Sequence, residues 1–549
     1  MDYALDLKNF HKESRTKYIV PMSIATEDYN KENNIEVFND KVFNVIHTNK
    51  KSIRKEIDNI LEKYSDTEID RENWVNSEYS PTPTIIESAR YMYKNHTVKD
   101  ISRSDAAVEN LTKTTETINK IIKICKSNKE KAICFVTGVP GAGKTLAGLN
   151  IATQSNFVEK NNAVFLSGNG PLVEVLQEAL ARDLVNKEQI KKEDAKIQTT
   201  TFINNIHKFR DNYINNNNTP FENIVVFDEA QRSWTHDQLS KFMKNKKNID
   251  NINMSEPECL LEIMNRHKEW CVVVCLVGGG QEINTGEAGI QEWIAAVKNK
   301  FPKWKLFISN NLDNKEYIKD SELSELIENL DSSFENNLHL NVSLRSFRSE
   351  KLSSFIQNIL NEDINKARES YKFLNNYPIK ITRDLEKAKN WLKMKKRGSE
   401  RIGIIASSGG LRLRPYGIWV KSKAQVGHWF LSDENHPESS NMLEKICTEF
   451  DIQGLEIDYS LVAWDMDFRI ENNMWKFYNF RGDRWNTIHK KKDKKYRLNA
   501  YRVLLTRARQ GMVIFVPEGV DGSIDTTRNK DFYDETYNFL VNCGIEELE

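Results

Sequence analysis

One octapeptide limits what this chain can fold into more than any other part of it. Gly138-Val139-Pro140-Gly141-Ala142-Gly143-Lys144-Thr145 satisfies G-x-x-x-x-G-K-[ST] in full. Residues 132–137, just before it, form an apolar run suited to a buried strand, and residues 146–153, just after it, suit a helix. A strand, a glycine loop and a helix in that order make a phosphate cradle. Glycines let backbone N–H groups turn inward, and the helix start adds the positive end of its dipole. Gly138, Gly141, Ala142, Gly143 and Leu146 then surround the phosphates of a nucleotide such as ATP. Lys144 reaches the β- and γ-phosphates, and the Thr145 hydroxyl binds Mg²⁺.

Such a strand needs parallel neighbours, and the chain supplies candidates. Buried runs recur at 163–167, 223–227 and 271–277, separated by helix-patterned segments such as 172–180. Strands alternating with helices predict a parallel α/β sheet. A second set at 338–340, 401–406, 457–464 and 512–516 predicts another α/β lobe, with a boundary near 325–337. The expected division is an accessory region over 1–109, a first lobe over 110–330 and a second over 331–549. In the accessory region helical stretches are expected around 42–64 and 84–95.

The run 225–227 ends in Asp228-Glu229-Ala230-Gln231-Arg232, and Asp228 lies 84 residues after Lys144. Beside a phosphate cradle, Asp228 holds Mg²⁺ through water, while Glu229 orients and deprotonates the attacking water. The alternative is an acidic pair at a helix start. The run 271–277 leads into Gly278-Gly279-Gly280-Gln281, where a polar side chain leaving a core strand can sense the γ-phosphate. Downstream stand Ser343-Leu344-Arg345-Ser346, Gln453-Gly454-Leu455-Glu456 and Thr506-Arg507-Ala508, the last in a helix-spaced run stopping at Gly511.

With these motifs in this order, residues 110–520 resemble superfamily 1 helicases, and more closely the Schlafen group 3-like DNA/RNA helicase domain family. The resemblance implies two RecA-like P-loop lobes of parallel sheet hydrolysing ATP in the cleft between them, driving a helicase or translocase on single-stranded DNA or RNA. It makes Arg345 and Arg507 arginine fingers from the second lobe, puts Glu456 on the ribose hydroxyl and sets Gln453, with Gly454, near the interlobe cleft. For Arg507 the alternative is a salt bridge on a surface helix. Ser167, Gly168 and Asn169 fall where the family's first strand-contacting loop lies, and Thr200 and Thr201, within 199–202, where a second lies. A strand-to-helix turn with Ser and Asn caps is the other reading of 167–169. Aromatic residues over 412–429 suit base stacking and a core equally. The chain departs from the superfamily at one point: between residues 104 and 137 there is no Gln to read adenine, so ATP selectivity is not carried over.

The 79 basic and 79 acidic residues cancel, so nucleic acid has to be bound in a local groove. That balance also suits an NTPase switch acting on a protein partner, or a defence-system motor accompanying a nuclease on another polypeptide. Seven scattered cysteines contain no C-x-x-C pair and predict buried thiols at Cys271 and Cys275. Residues 1–15 are charged throughout and apolar runs stay strand-sized, so a cytoplasmic protein with no leader and no membrane span is expected. Asp6-Leu7-Lys8 looks like a nuclease acid-x-Lys pair, but Tyr3, Leu7 and Phe10 share a helix face, and the apolar strand comes later, at 18–25. That order suits the tail of a PD-(D/E)XK-type domain or an unrelated accessory domain, and no nuclease centre is expected.

Overall fold

The computed structural model describes the chain except residues 15, 27–34, 39–40, 65–68, 76, 78–84, 94–104, 140, 158, 160, 215, 248–252, 279–288, 314–322, 342–346, 375–376 and 423. Near the N-terminus, a helix over Asp2–Phe10 precedes two short parallel strands, β1 (Met22–Ile24) and β2 (Ile46–Thr48). The expected helix face is rotated: Tyr3 is exposed, while Ala4, Leu5 and the stem of Lys8 are buried. The helix expected over 42–64 begins only at Ile53. Val42 and Phe43 instead form bridges in extended chain, and Phe43 packs under Tyr18 and Tyr64 in a small separate core.

The first large sheet contains β3 (Lys131–Gly138), β4 (Ala163–Ser167), β5 (Ile203–Asn205), β6 (Ile224–Asp228), β7 (Cys271–Leu276), β8 (Lys305–Ile308), β9 (Ser332–Phe334) and β10 (His339–Leu340). Its order is β5-β4-β6-β7-β3-β8-β9, parallel throughout, with β10 alongside the end of β3. Burial on both faces explains the unbroken apolar runs. Alternate residues serve separate cores: Cys134, Val136, Val226 and Val274 face one side, and Ile133, Phe135, Val225 and Val273 the other. The Lys144–Phe157 helix lies so close to the sheet that a Cβ on Gly148 would sit 2.5 Å from Leu276 Cδ1.

The run 338–340, expected in the second lobe, thus belongs to the first. Leu340 crosses Gly138 so closely that a Cβ there would meet Leu340 Cβ at 2.7 Å. A cut at 330/331 would sever β9 and β10 from their own sheet, so the chain changes lobe only after Leu340.

The second sheet contains β11 (Ile379–Thr382), β12 (Ile402–Ala406), β13 (Ile446–Thr448) and β14 (Ile457–Ala463). A three-stranded antiparallel insert follows, made of β15 (Phe468–Glu471), β16 (Met474–Arg481) and β17 (Arg484–Thr487). The Lys491–Leu505 helix then returns the chain to β18 (Ala508–Phe515), and β19 (Glu546–Glu547) closes the far edge. The order β13-β12-β14-β18-β11-β19 is again parallel. Both lobes are therefore RecA-like parallel α/β units. The helix expected to run to Gly511 stops at Leu505, and Gly511 sits inside β18, where a Cβ would meet Pro378 at 2.8 Å.

Candidate functional site

The glycine loop leaves the carboxyl end of β3 with Gly141 at φ 78° and Gly143 at φ 80°, a region that favours glycine. The helix starts at Lys144, so the first backbone N–H groups of that helix have no helical acceptor and point toward the loop. Lys144 Nζ donates to the Gly138 carbonyl at 2.9 Å, inside the loop. Ala142 is buried beneath it.

With β7 lying between it and β3, β6 brings Asp228, and Glu229 just after it, to the same edge. The Thr145 hydroxyl donates to Asp228, at 3.2 Å from Oδ1 and 3.3 Å from Oδ2. Burial, then the Glu229 carboxylate, pushes Asp228 up to about 7, against the opposing pull of Thr145, Arg232 and Lys144. Glu229 takes a left-handed φ of 54°, which turns the chain sharply off the strand. Glu229 stands at the start of a short 3-10 helix, Ala230–Arg232, but its side chain makes no cap there.

Gln231 was not singled out from the sequence. Its Nε2 donates to Glu229 Oε2 at 2.5 Å, and its Oε1 accepts from Gly278 N at 3.0 Å. It thus ties the carboxylate to the segment just past β7. A Cβ on Gly278 would meet Gln231 at 3.1 Å and Glu229 at 3.4 Å, so this backbone forms a wall of the site. Arg232 Nε lies 3.4 Å from Glu229 Oε2, and Trp293 Nε1 supports the turn by donating to Ala230 O at 2.9 Å. The sequence signal for Gln231 was its place as the last residue of the Asp228-Glu229-Ala230-Gln231 motif. Gln281 and Arg345 lie outside the described residues.

Three of the residues expected on a nucleic-acid track take other positions. Ser167 is fully buried at the end of β4, with Oγ 3.5 Å from Asp228 Oδ2. Thr200 and Thr201 end the Lys192–Phe202 helix rather than occupying a loop, and their hydroxyls donate to Lys196 O and Gln198 O. Gly168 is exposed. Asn169 caps the Gly170–Glu188 helix, as the second reading of that turn has it, accepting from Leu172 N at 3.3 Å. Of the aromatics over 412–429, Trp429 is wholly buried and donates to Lys445 O, while Tyr416 packs on Phe515.

Asn169 also reaches the second lobe. Its Nδ2 donates to Gln453 O at 2.5 Å, and Gly454, at φ 76°, leaves room for it. Gln453 and Gly454 lie in the turn between β13 and β14. Nearby, Glu174 Oε1 accepts from Gly427 N at 3.0 Å, and Arg182 Nη1 donates to Leu431 O at 2.6 Å. The turn therefore presses on the carboxyl edge of the first sheet. Arg507 lies between the Lys491–Leu505 helix and β18, half-buried, with its carbonyl accepting from Ile457 N at 3.2 Å. It lies just past the helix C-cap Thr506, not within the surface helix of the alternative reading. Glu456 is exposed one residue before β14.

Residues 131–518 match the Schlafen group 3, DNA/RNA helicase domain family. No curated protein matches the chain in sequence. Among solved structures, it is similar to the DUF1998 helicase MrfA bound to DNA and AMPPNP at 10% identity and TM-score 0.28, over 80% of this chain and 51% of that one. It is also similar to the Sulfolobus solfataricus SWI2/SNF2 ATPase core in complex with dsDNA, at 11% identity and TM-score 0.25, over 80% of this chain and 94% of that one. The match thus spans about half the length of the MrfA chain. Among the described residues no helix is long and apolar enough to cross a membrane.

Proposed function

The chain belongs to the Schlafen group 3 DNA/RNA helicase domain family, and we propose that it is a nucleic-acid-stimulated nucleoside triphosphatase, a helicase or translocase on single-stranded DNA or RNA. The observation that carries this reading is the convergence of Lys144, Thr145, Asp228 and Glu229 at one sheet edge, under a glycine loop. Residues 1–109 are the accessory region, and the two lobes divide after Leu340.

The donor set fits Mg²⁺. Thr145 and Asp228 offer hard oxygens, and a buried carboxylate beside a second one is a site short of positive charge. Mg²⁺ bound there would neutralise charge on the phosphates. Lys144 balances the β- and γ-phosphates. Glu229 orients the attacking water and accepts its proton, held in place by Gln231. Gln281, beyond Gly278, senses the γ-phosphate. Arg507 and Arg345 supply transition-state charge from the second lobe, a contribution of ~10³–10⁵ in rate for such arginines. Glu456 takes the ribose hydroxyl, and Gln453 and Gly454 line the junction.

Hydrolysis measured with ATP, GTP and other nucleotides, with and without a short single-stranded DNA or RNA, tests the reading. Stimulation at low salt that fades at high salt is expected. No stimulation by either strand replaces the motor with a switch acting on a protein partner.

A further inference from the structure

The insert between β14 and the Lys491–Leu505 helix has no part in the nucleotide site, yet it holds the strongest local charge noted in the chain. Residues 476–497 contain nine Lys or Arg against two Asp, in a protein whose charges balance as a whole. Arg481 and Arg484 flank the β16–β17 turn at Gly482 and are exposed. Lys490, Lys491 and Lys492 are exposed where the helix begins. Among the described residues, no carboxylate pairs with Arg481, Arg484, Lys490 or Lys491.

Cations at a helix N-terminus oppose the helix dipole, so this arrangement costs stability unless an outside anion lies against it. The insert is firmly seated. Arg497 Nη1 donates to buried Asp467 Oδ2 at 2.5 Å and to Ser407 Oγ at 2.7 Å, while Nη2 donates to Asn479 Oδ1 at 3.0 Å. Trp485 Nε1 donates to Thr527 O at 2.8 Å, and Trp475 Nε1 to Ile359 O at 3.0 Å.

Two features identify the anion. The insert leaves the carboxyl end of β14, whereas Arg507 lies at the amino end of the neighbouring β18, so a nucleotide in the cleft lies at the other edge of the sheet. Two rings of the insert already have one of the chain's own cations beside them: Lys494 Nζ is 6.0 Å from the Phe477 centroid, and Arg412 Cζ is 5.3 Å from that of Phe480. What the surface offers outward is chiefly the charge of Arg481, Arg484, Lys490, Lys491 and Lys492. We propose that β15–β17 and the first turn of the following helix bind the phosphate backbone of nucleic acid without reading its bases. This rests on the nucleic-acid reading above.

The test is fluorescence anisotropy with labelled single-stranded and duplex 20-mers of two base compositions, over a salt series. The insert variant is Arg481→Ala/Arg484→Ala/Lys490→Ala/Lys491→Ala, and the control is Lys50→Ala/Lys51→Ala/Lys55→Ala/Lys63→Ala on the exposed N-terminal surface. The insert variant is expected to flatten the log K against log salt slope by about 3, at roughly 0.7 per phosphate for a single strand and 0.9 for a duplex. The control should keep the slope of the unaltered chain, and base composition should change little. The form that the unaltered chain binds more tightly at low salt, and whose slope the insert variant flattens, is the form bound. Should the quadruple variant melt below the unaltered chain, Arg481→Gln/Arg484→Gln carries the measurement, with half the expected change. An unchanged slope in the insert variant, beside normal binding by the unaltered chain, overturns this inference and leaves the function standing. An equal loss in the control overturns it as well, since the charge would then act diffusely. No binding by the unaltered chain at low salt overturns both.

Discussion

Asn169→Asp separates two jobs that one side chain performs. Its Oδ1 caps the Gly170–Glu188 helix and its Nδ2 holds Gln453 O across the lobes. Aspartate is as good an N-cap as asparagine and adds about 0.3–1 kcal/mol with the helix dipole. The first lobe should therefore lose nothing. The interlobe bond is lost outright, and a carboxylate oxygen faces a carbonyl instead. Loss of a hydrogen bond costs ~0.5–1.5 kcal/mol, and leaving a part-buried acceptor unpaired brings the total to about 1–2 kcal/mol. That is a factor of roughly 5–30 in the docked fraction. Dyes on cysteines introduced at exposed Lys187 and Lys393 would report lobe separation by energy transfer, because all seven native cysteines are buried. Asn169→Ala, which loses cap and clasp together, should lower the melting midpoint as well. If energy transfer in Asn169→Asp stays at the level of the unaltered chain while only Asn169→Ala lowers the melting midpoint, Asn169 is a helix cap and nothing more.

Three further outcomes are expected. Lys144→Ala should abolish turnover and weaken nucleotide binding; near-normal hydrolysis by the purified variant would falsify the cradle assignment. Glu229→Gln should still bind nucleotide but hydrolyse it at least ~100-fold more slowly, and Gln231→Leu should lower kcat by about 10–100-fold with KM little changed, since only the base is displaced; parallel loss of binding in stopped-flow titrations would make both structural. Glu400 is pushed up to about 7 from 4.5, by burial and then by Asp458, so the folded chain holds a proton that the unfolded chain releases. Stability should fall as pH rises from about 4.5 through 7, and Glu400→Gln should flatten that fall by roughly 2–3 kcal/mol in denaturant melts; an unchanged pH slope refutes it.

What could be read from the sequence was what is local. The cradle announces itself because strand, glycines and lysine are adjacent in the chain, and β4, β6 and β7 because burial on both faces leaves unbroken apolar runs. Residues 338–340 could not be assigned, because a short apolar stretch says nothing about which of two sheets will accept its hydrogen bonds. Only the close approach of Leu340 to Gly138 decides it. Thr200 and Thr201 were expected in a loop, yet the helix carries them to its end, with their hydroxyls turned back on helix carbonyls. The insert went unread because its burial is partial: aromatic and basic residues alternate without a long apolar run, and its seat on Asp467 is a contact between distant parts of the chain.

Ser167 shows why placing it on a strand-contacting loop missed its chemistry. Its strand runs beside β6 with Ser167 opposite Asp228, and the hydroxyl lies 3.5 Å from that carboxylate while accepting from Asn169 N at 3.2 Å. Two residues further on, the same turn grips Gln453 of the second lobe. On the neighbouring strand end, Gln231 links Glu229 to Gly278. Each acid at the sheet edge is thus joined by one polar side chain to a backbone segment leading away from the site. The Ser167 hydroxyl thus lies between the Asp228 carboxylate and the turn that carries Asn169. Because that turn both caps a helix and holds the other lobe, it cannot adjust one contact and keep the other unchanged. A contiguous path of contacts therefore runs from the acidic edge to the contact between the lobes. It follows from three consecutive residues, Ser167, Gly168 and Asn169, with an exposed glycine between the two that make the contacts.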